Sequence, residues 1–244
     1  MTLWMFRLDG GPPHNFTLRC QLTAGGETRR RGVALQVGMT TDEETLQAAC
    51  AKYAEIPEAE WRFFWSQTCR RDFGAREHLV REGHPTSAIY FIVSGLVRLY
   101  YNRDGRELVR GFDLEGRWAT VYESVLTGEP STFSIETLEP TRTISFSGRV
   151  LSALYARHPC WDRFGRRILE AQWIRQSDKA RRFRVYSPEE HYRLLISRRS
   201  PLIDRVPLNQ LASFLQITPE TLSRIRGRLR EEAEQQAAGT AAPG

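Results

Sequence analysis

The apolar residues of this chain change their spacing twice. From Leu46 to about Gln67 they recur at helical intervals, as Leu46, Ala49, Tyr53, Ile56, Trp61, Phe64 and Trp65, interrupted at Pro57. Thr40-Thr41 followed by Asp42-Glu43-Glu44 supplies a cap and early acids for the start of that helical stretch. From Cys69 to about Gly148 the runs are short, apolar and β-branched, and glycines at Gly74, Gly83, Gly95, Gly105, Gly116 and Gly128 separate them. Ala88–Val93 and Leu96–Asn102 are the clearest strands and are expected to pair through Ser94-Gly95. Asn102-Arg103-Asp104-Gly105 is a hairpin turn, since Asp-Gly tolerates the positive φ such turns require. Many short strands at this spacing imply an antiparallel roll or barrel.

After Gly148 the helical spacing returns. Arg149–Tyr155 forms a short helix ending near His158-Pro159, and Cys160 to about Phe183 a long one. Phe164, Ile168, Ala171 and Ile174 form an apolar seam on the long helix, which turns polar from Arg175 on. A long interdomain helix with one seam pairs with its twin, so a homodimer is expected; the alternative is packing on its own roll. Ser187-Pro188-Glu189-Glu190 is a capping box with proline at the first helical position. Pro207 opens a further helix buried through Leu208, Leu211, Ala212, Phe214 and Leu215, and Gln216-Ile217 make a turn. Thr218-Pro219-Glu220-Thr221 then starts a last helix, capped by Thr218, with Leu222, Ile225 and Leu229 facing inward.

The two closing helices are a helix-turn-helix, with the small Ala212 permitting their close crossing. Such a unit places the start of its second helix in the major groove of duplex DNA. Arg224 can pair bidentately with guanine and Glu220 can accept from cytosine. Thr218, Thr221, Arg226 and Arg228 complete the expected interface, Thr221 and the later arginines as phosphate contacts that set register. A solvated face is the ordinary reading of helical arginines. Here the capped two-helix frame and the local charge argue otherwise, because Ser187–Arg230 holds eight arginines against four acids. The net charge of +6 is compatible with a polyanionic partner. Gly227 within the last helix costs ~1 kcal/mol relative to alanine, and no wing hairpin follows. Both features leave room for a ligand-binding module whose helix-turn-helix is weak or vestigial.

The remaining composition narrows the picture. Hydrophobic residues at 41% and charged residues at 26% are those of an ordinary globular protein. No apolar run approaches a membrane span, and no signal peptide is recognisable. Cys20, Cys50, Cys69 and Cys160 are scattered, which speaks against a disulfide framework, structural zinc or an iron–sulfur centre. The expected setting is therefore the cytoplasm, with reduced thiols. The histidines (His14, His78, His84, His158, His191) form no metal-binding set, so a cupin-type enzyme on the same kind of roll is not expected. No catalytic residues, metal site or cofactor are assigned. Residues 1–38 lack periodicity and carry Gly10-Gly11-Pro12-Pro13 and Arg29-Arg30-Arg31; they read either as upstream sequence preceding a start at Met39 or as a disordered arm.

The order of helices, glycine-punctuated roll, long helix and helix-turn-helix resembles the Crp/Fnr superfamily of bacterial regulators over about residues 42–230. The resemblance is carried by Ala88-Ile89-Tyr90-Phe91-Ile92-Val93-Ser94-Gly95-Leu96-Val97-Arg98 and by the segment from Val206-Pro207-Leu208 through Thr218-Pro219-Glu220-Thr221-Leu222-Ser223-Arg224-Ile225-Arg226. It implies an α+β fold: an antiparallel jelly roll of cyclic-nucleotide-binding type, a long dimerisation helix and a C-terminal helix-turn-helix domain. The expected divisions are 39–148 for the N-terminal helices and sensory roll, 149–184 for the connecting and dimerisation helices, 185–230 for the DNA-binding domain and 231–244 for a disordered tail. The implied function is a dimeric transcription regulator of double-stranded DNA, with RNA polymerase a further candidate partner and no membrane. Glu220 and Arg224 match the family's base-reading positions; its usual arginine at the helix start falls on Pro219.

The sensor end departs from the pattern. The family's cyclic-nucleotide site uses Gly-Glu for the ribose and Arg-Ser or Arg-Thr for the phosphate. These align with Thr120-Val121 and Ser131-Thr132, and sliding the first pair to Glu123-Ser124 still supplies no arginine near Ser131. A buried phosphate would lack its strongest partner, so cAMP is not the expected effector. Nor is there the cysteine cluster of the Fnr oxygen sensor or a haem ligand. The effector stays unassigned, with Thr120, Val121, Glu123, Ser124, Ser131 and Thr132 as the candidate pocket.

Overall fold

The computed structural model describes residues 41–240 apart from residue 199, and the side chains of 236–240 are likewise outside the description. The two readings of residues 1–38 and the placement of Cys20 lie outside these residues. Two short helices, α1 (Asp42–Ala51) and α2 (Glu58–Ser66), lead into eight strands. These are β1 (Cys69–Phe73), β2 (His78–Val80), β3 (Ala88–Ser94), β4 (Leu96–Arg103), β5 (Arg106–Leu114), β6 (Trp118–Ala119), β7 (Ser134–Thr137) and β8 (Thr141–Ser147), with α3 (Tyr122–Thr127) inserted after β6. Helices α4 (Gly148–Arg157) and α5 (Pro159–Val185) follow. The chain then closes with α6 (Pro188–Ser197), α7 (Leu202–Arg205), α8 (Leu208–Phe214) and α9 (Pro219–Thr240).

The strands form two four-stranded antiparallel sheets, in the orders β1-β8-β3-β6 and β2-β7-β4-β5. The hairpin at Asn102–Gly105 is present, with positive φ at both Asp104 and Gly105 and the Asn102 Oδ1 accepting from the Gly105 amide at 3.0 Å. The expected pairing of β3 with β4 is not. β3 pairs with β8 and β6, and β4 pairs with β5 and β7. Gly95 turns a corner between the two sheets instead, at a φ of 105° that is open mainly to glycine. A Cβ there would stand 2.8 Å from the Thr141 Cα and 2.9 Å from the Pro140 carbonyl, so the corner is also packed against the start of β8.

Three apolar clusters hold the fold. Phe73, Val80, Ile92, Val97, Phe133 and Ile135 fill the space between the sheets. Leu46, Cys50, Trp61, Phe64, Leu154, Trp161 and Phe164 seal α1, α2, α4 and α5 against β3 and β8. The third cluster joins β4 and β5 residues Leu96, Val109 and Phe112 to the closing helices through Tyr192, Leu211, Phe214, Leu215 and Leu222.

The seam read on the long helix splits. Phe164 is buried in the core beside α1 and the roll, edge-on to Tyr53 and Trp118, and Ile168 packs beside it. Ala171 is half-buried and only Ile174 is exposed. Periodicity counts apolar positions without saying which neighbour covers them, and here α1 and the roll cover the first half. The exposed apolar face of α5 consists of Leu169 (42%), Trp173 (74%) and Ile174 (67%). The tail read as disordered from residue 231 is helical to Thr240, because Glu-Glu-Ala-Glu-Gln-Gln-Ala-Ala are strong helix formers that carry α9 onward. No helix among the described residues is long and apolar enough to cross a membrane.

Candidate nucleic-acid interface and sensor cavity

The closing helices are built from local signals. The Ser187 hydroxyl accepts from the Glu190 amide while Glu190 accepts from the Ser187 amide, and Pro188 opens α6. Gln216 adopts a φ of 61° in the turn between α8 and α9, and the Ile217 amide donates to the Ala212 carbonyl at 3.1 Å. Thr218 caps α9 by accepting from the Thr221 amide at 3.3 Å. Leu211, Ala212, Leu215, Leu222 and Ile225 are buried between the helices. Two apolar stripes thus fix the crossing and leave one face of α9 to solvent.

Glu220, Arg224 and Arg228 recur at four-residue steps along that face and are all exposed. The Arg224 guanidinium donates to Thr221 Oγ1 at 3.3 Å. The Glu220 carboxyl is held below its usual range by its own backbone amide, by the Thr218 hydroxyl and by Arg224, so it stays an acceptor. Among the described residues, no carboxylate lies within ion-pair reach of Arg224 or Arg226. Arg228 differs, because its guanidinium is taken by Glu189 of α6, which also binds Arg193 at 3.0 Å. Arg226 points elsewhere, bordering a small cleft with Tyr192, Ile203 and Asp204. Of the six residues read as the interface, Thr218, Glu220, Thr221 and Arg224 therefore cluster at the helix start, whereas Arg226 lies apart.

A cavity of about 1040 Å³ lies between the roll and α5. Thr120, Val121 and Glu123 line it, as the sequence suggested; Ser124, Ser131 and Thr132 do not. Ser124 is a structural pin, its buried hydroxyl donating to the Glu129 carbonyl at 2.6 Å and accepting from the Thr86 amide at 2.9 Å. Ser131 donates to the Phe133 carbonyl at 2.6 Å. Both are short polar side chains that serve neighbouring loop backbone groups in need of partners, a use that residue type alone does not reveal.

Sequence reasoning missed the charged end of the cavity. Arg110 and Asp113 come from β5 and Arg175 from α5. Asp113 is buried, and burial raises its carboxyl despite Arg175 at 3.4 Å. Lys179, one turn further along α5, donates to the Arg110 carbonyl and is pushed down to about 8 by burial, with Arg110 adding to the fall and Asp113 opposing it. The one available signal was Asp113 itself, an acid within a strand otherwise rich in apolar residues.

Residues 70–158 match the family model of the cyclic nucleotide-binding domain. The roll is similar to that domain in sequence and in fold. FixK2 of Bradyrhizobium japonicum superposes with a TM-score of 0.56 at 19% identity, over 68% of this chain and 86% of its own. The regulator CLP of Xanthomonas campestris, described as c-di-GMP-responsive and linking cell–cell signalling to virulence gene expression, gives 0.55 at 19%, over 72% and 93%. A cyclic nucleotide-binding domain from Methylobacillus flagellatus gives 0.52 at 19%, over 57% and 81%. The comparison with curated protein sequences finds no match. These likenesses are of fold: a cyclic-nucleotide-binding-type roll, a long helix and a C-terminal helical region.

Ser131 and Thr132, the pair aligned with a phosphate site, lie outside the cavity. The hydroxyl at Ser131 is committed to the Phe133 carbonyl, and Thr132 is exposed outside the cavity. Among the described residues neither is hydrogen-bonded to an arginine. The cations of this cavity stand instead on β5 and α5.

Proposed function

We propose that the chain is a sequence-specific DNA-binding transcription regulator of Crp/Fnr type, cytoplasmic and homodimeric, whose roll senses an effector other than cAMP. The observation that carries this reading is the start of α9, where Thr218 caps the helix and Glu220 and Arg224 stand exposed on one face. Such a face presents an acceptor and a planar guanidinium without a carboxylate partner to base edges. The exposed Leu169, Trp173 and Ile174 supply the dimer seam, so the DNA half-sites are related by a two-fold axis.

A second reading, a sensor module with weak DNA binding, is favoured by one set of contacts. The helix-turn-helix rests on its own roll, with Ser213 Oγ accepting from the Val109 amide at 3.0 Å and Arg205 bridging Glu115 and Glu139 at 3.0 and 2.5 Å. Selection of binding sites from random duplex DNA separates the two. The regulator reading expects a palindrome whose half-sites lie about one helical turn apart. Arg224→Ala should lose ~1–3 kcal/mol of discrimination at one base pair per half-site. Failure to enrich any palindrome, or an Arg224→Ala protein that selects the same site with the same preference, leaves only the sensor module.

A further inference from the structure

The cavity is lined by aromatic rings and by a charged cluster from β5 and α5. Trp118, Phe133, Phe146 and Phe164 line its length. In the charged cluster Arg110 lies with its guanidinium carbon 4.4 Å from the centre of the Phe133 ring. Arg175 stands beside it, paired with the buried Asp113 at 3.4 Å. Among the described residues Arg110 has no carboxylate within ion-pair distance, so its fork of donors is available to a guest. Glu123 and Asp162 also line the cavity, and its Arg166 is paired with Glu170 at 2.7 Å.

Resting on the sensor reading above, we propose that the effector is a ring-bearing aromatic carboxylate, its acid held by Arg110 with Arg175 in support and its ring along the aromatic wall. A neutral molecule of the same shape would leave the Arg110 fork unanswered, and an anion with a polar sugar would set hydroxyls against apolar rings. A cavity of this size accommodates a drug-sized guest. Bidentate carboxylate binding is a geometry that guanidinium favours.

The test is calorimetry on the full chain with benzoate, naphthoate and anthracenecarboxylate, each beside its neutral alcohol, and with cAMP. At least one carboxylate is expected to bind, its alcohol about tenfold or more weaker, and cAMP to give no heat. Arg110→Gln should lose that preference while binding the alcohol as before, which also shows that the cavity is intact. The proposal is overturned if no carboxylate binds, as when a second subunit's helix fills the space. It is equally overturned if acid and alcohol bind alike, if Arg110→Gln keeps the preference, or if cAMP binds more tightly than the carboxylates. DNA-site selection on the same preparation keeps the two readings apart, since a chain that selects a palindrome and binds no carboxylate remains a regulator with another effector.

Discussion

Lys179 sits where the roll, the long helix and the closing helices meet, with its ammonium on the Arg110 carbonyl and near the Phe214 ring. Its ordinary value of 10.5 falls to about 8 in the fold. Below pH 8 both folded and unfolded chains hold the proton, and the fold bears the full cost of a buried charge. Between about 8 and 10.5 the unfolded chain binds more protons than the folded one, so this group's contribution to stability rises with pH. Lys179→Met removes the titration. The wild type should gain roughly 2–3 kcal/mol relative to that variant from pH 7 to above 10, read from urea midpoints of both proteins. Parallel pH curves would sink the assignment. Glu220 and Arg224 are a different kind of residue, readable from the chain because four-residue spacing places them on one helical face. Asp113, Arg110, Arg175 and Lys179 come from a strand and a helix far apart in sequence, and no local pattern announces their meeting.

Helix starts are short-range events, and α1, α6 and α9 begin where a side-chain cap was legible: Thr41 with Glu44, Ser187 with Glu190, and Thr218. The hairpin at Asp104-Gly105 is of the same kind. The four-residue α7 carries no cap and was not legible. Gly95 marks the limit of such reading, because a glycine between two apolar runs suits a hairpin and a corner between sheets equally. The long-range partners of β3 and β4 decide between them. Gly95→Ala should destabilise the protein by ~3–5 kcal/mol, from positive-φ strain and a clash with the Thr141 backbone. Gly83→Ala, with open space around its Cβ position, should cost much less. Denaturant midpoints that moved equally for the two would contradict the packed corner.

At the scale of the whole molecule, α5 leaves an apolar face uncovered among the described residues. Trp173 and Ile174 stand on adjacent positions of α5, with Leu169 one turn before Trp173. Fully burying side chains of this size is worth ~1.5–3 kcal/mol each, enough to drive pairing with an identical helix. Trp173→Glu is expected to shift the protein from dimer to monomer by sedimentation equilibrium and to abolish palindrome binding. A variant that stays dimeric would place the interface elsewhere. The helix-turn-helix is likewise anchored at this scale, through Phe112, Phe183 and His191 packed around Phe214.

The sequence by itself determined what depends on neighbours within about one helical turn or one hairpin: the α+β order of elements, the caps, the glycine turns, and the Glu220–Arg224 face. Tertiary structure decided what depends on distant pairs. It assigned β3 and β4 to opposite sheets and turned Phe164 and Ile168 inward while leaving Trp173 outside. It committed Ser124 and Ser131 to backbone partners and built the charged end of the cavity from β5 and α5. The division follows from range, since a local signal is complete within the segment that carries it, whereas burial and charge pairing are properties of segments that only folding brings together.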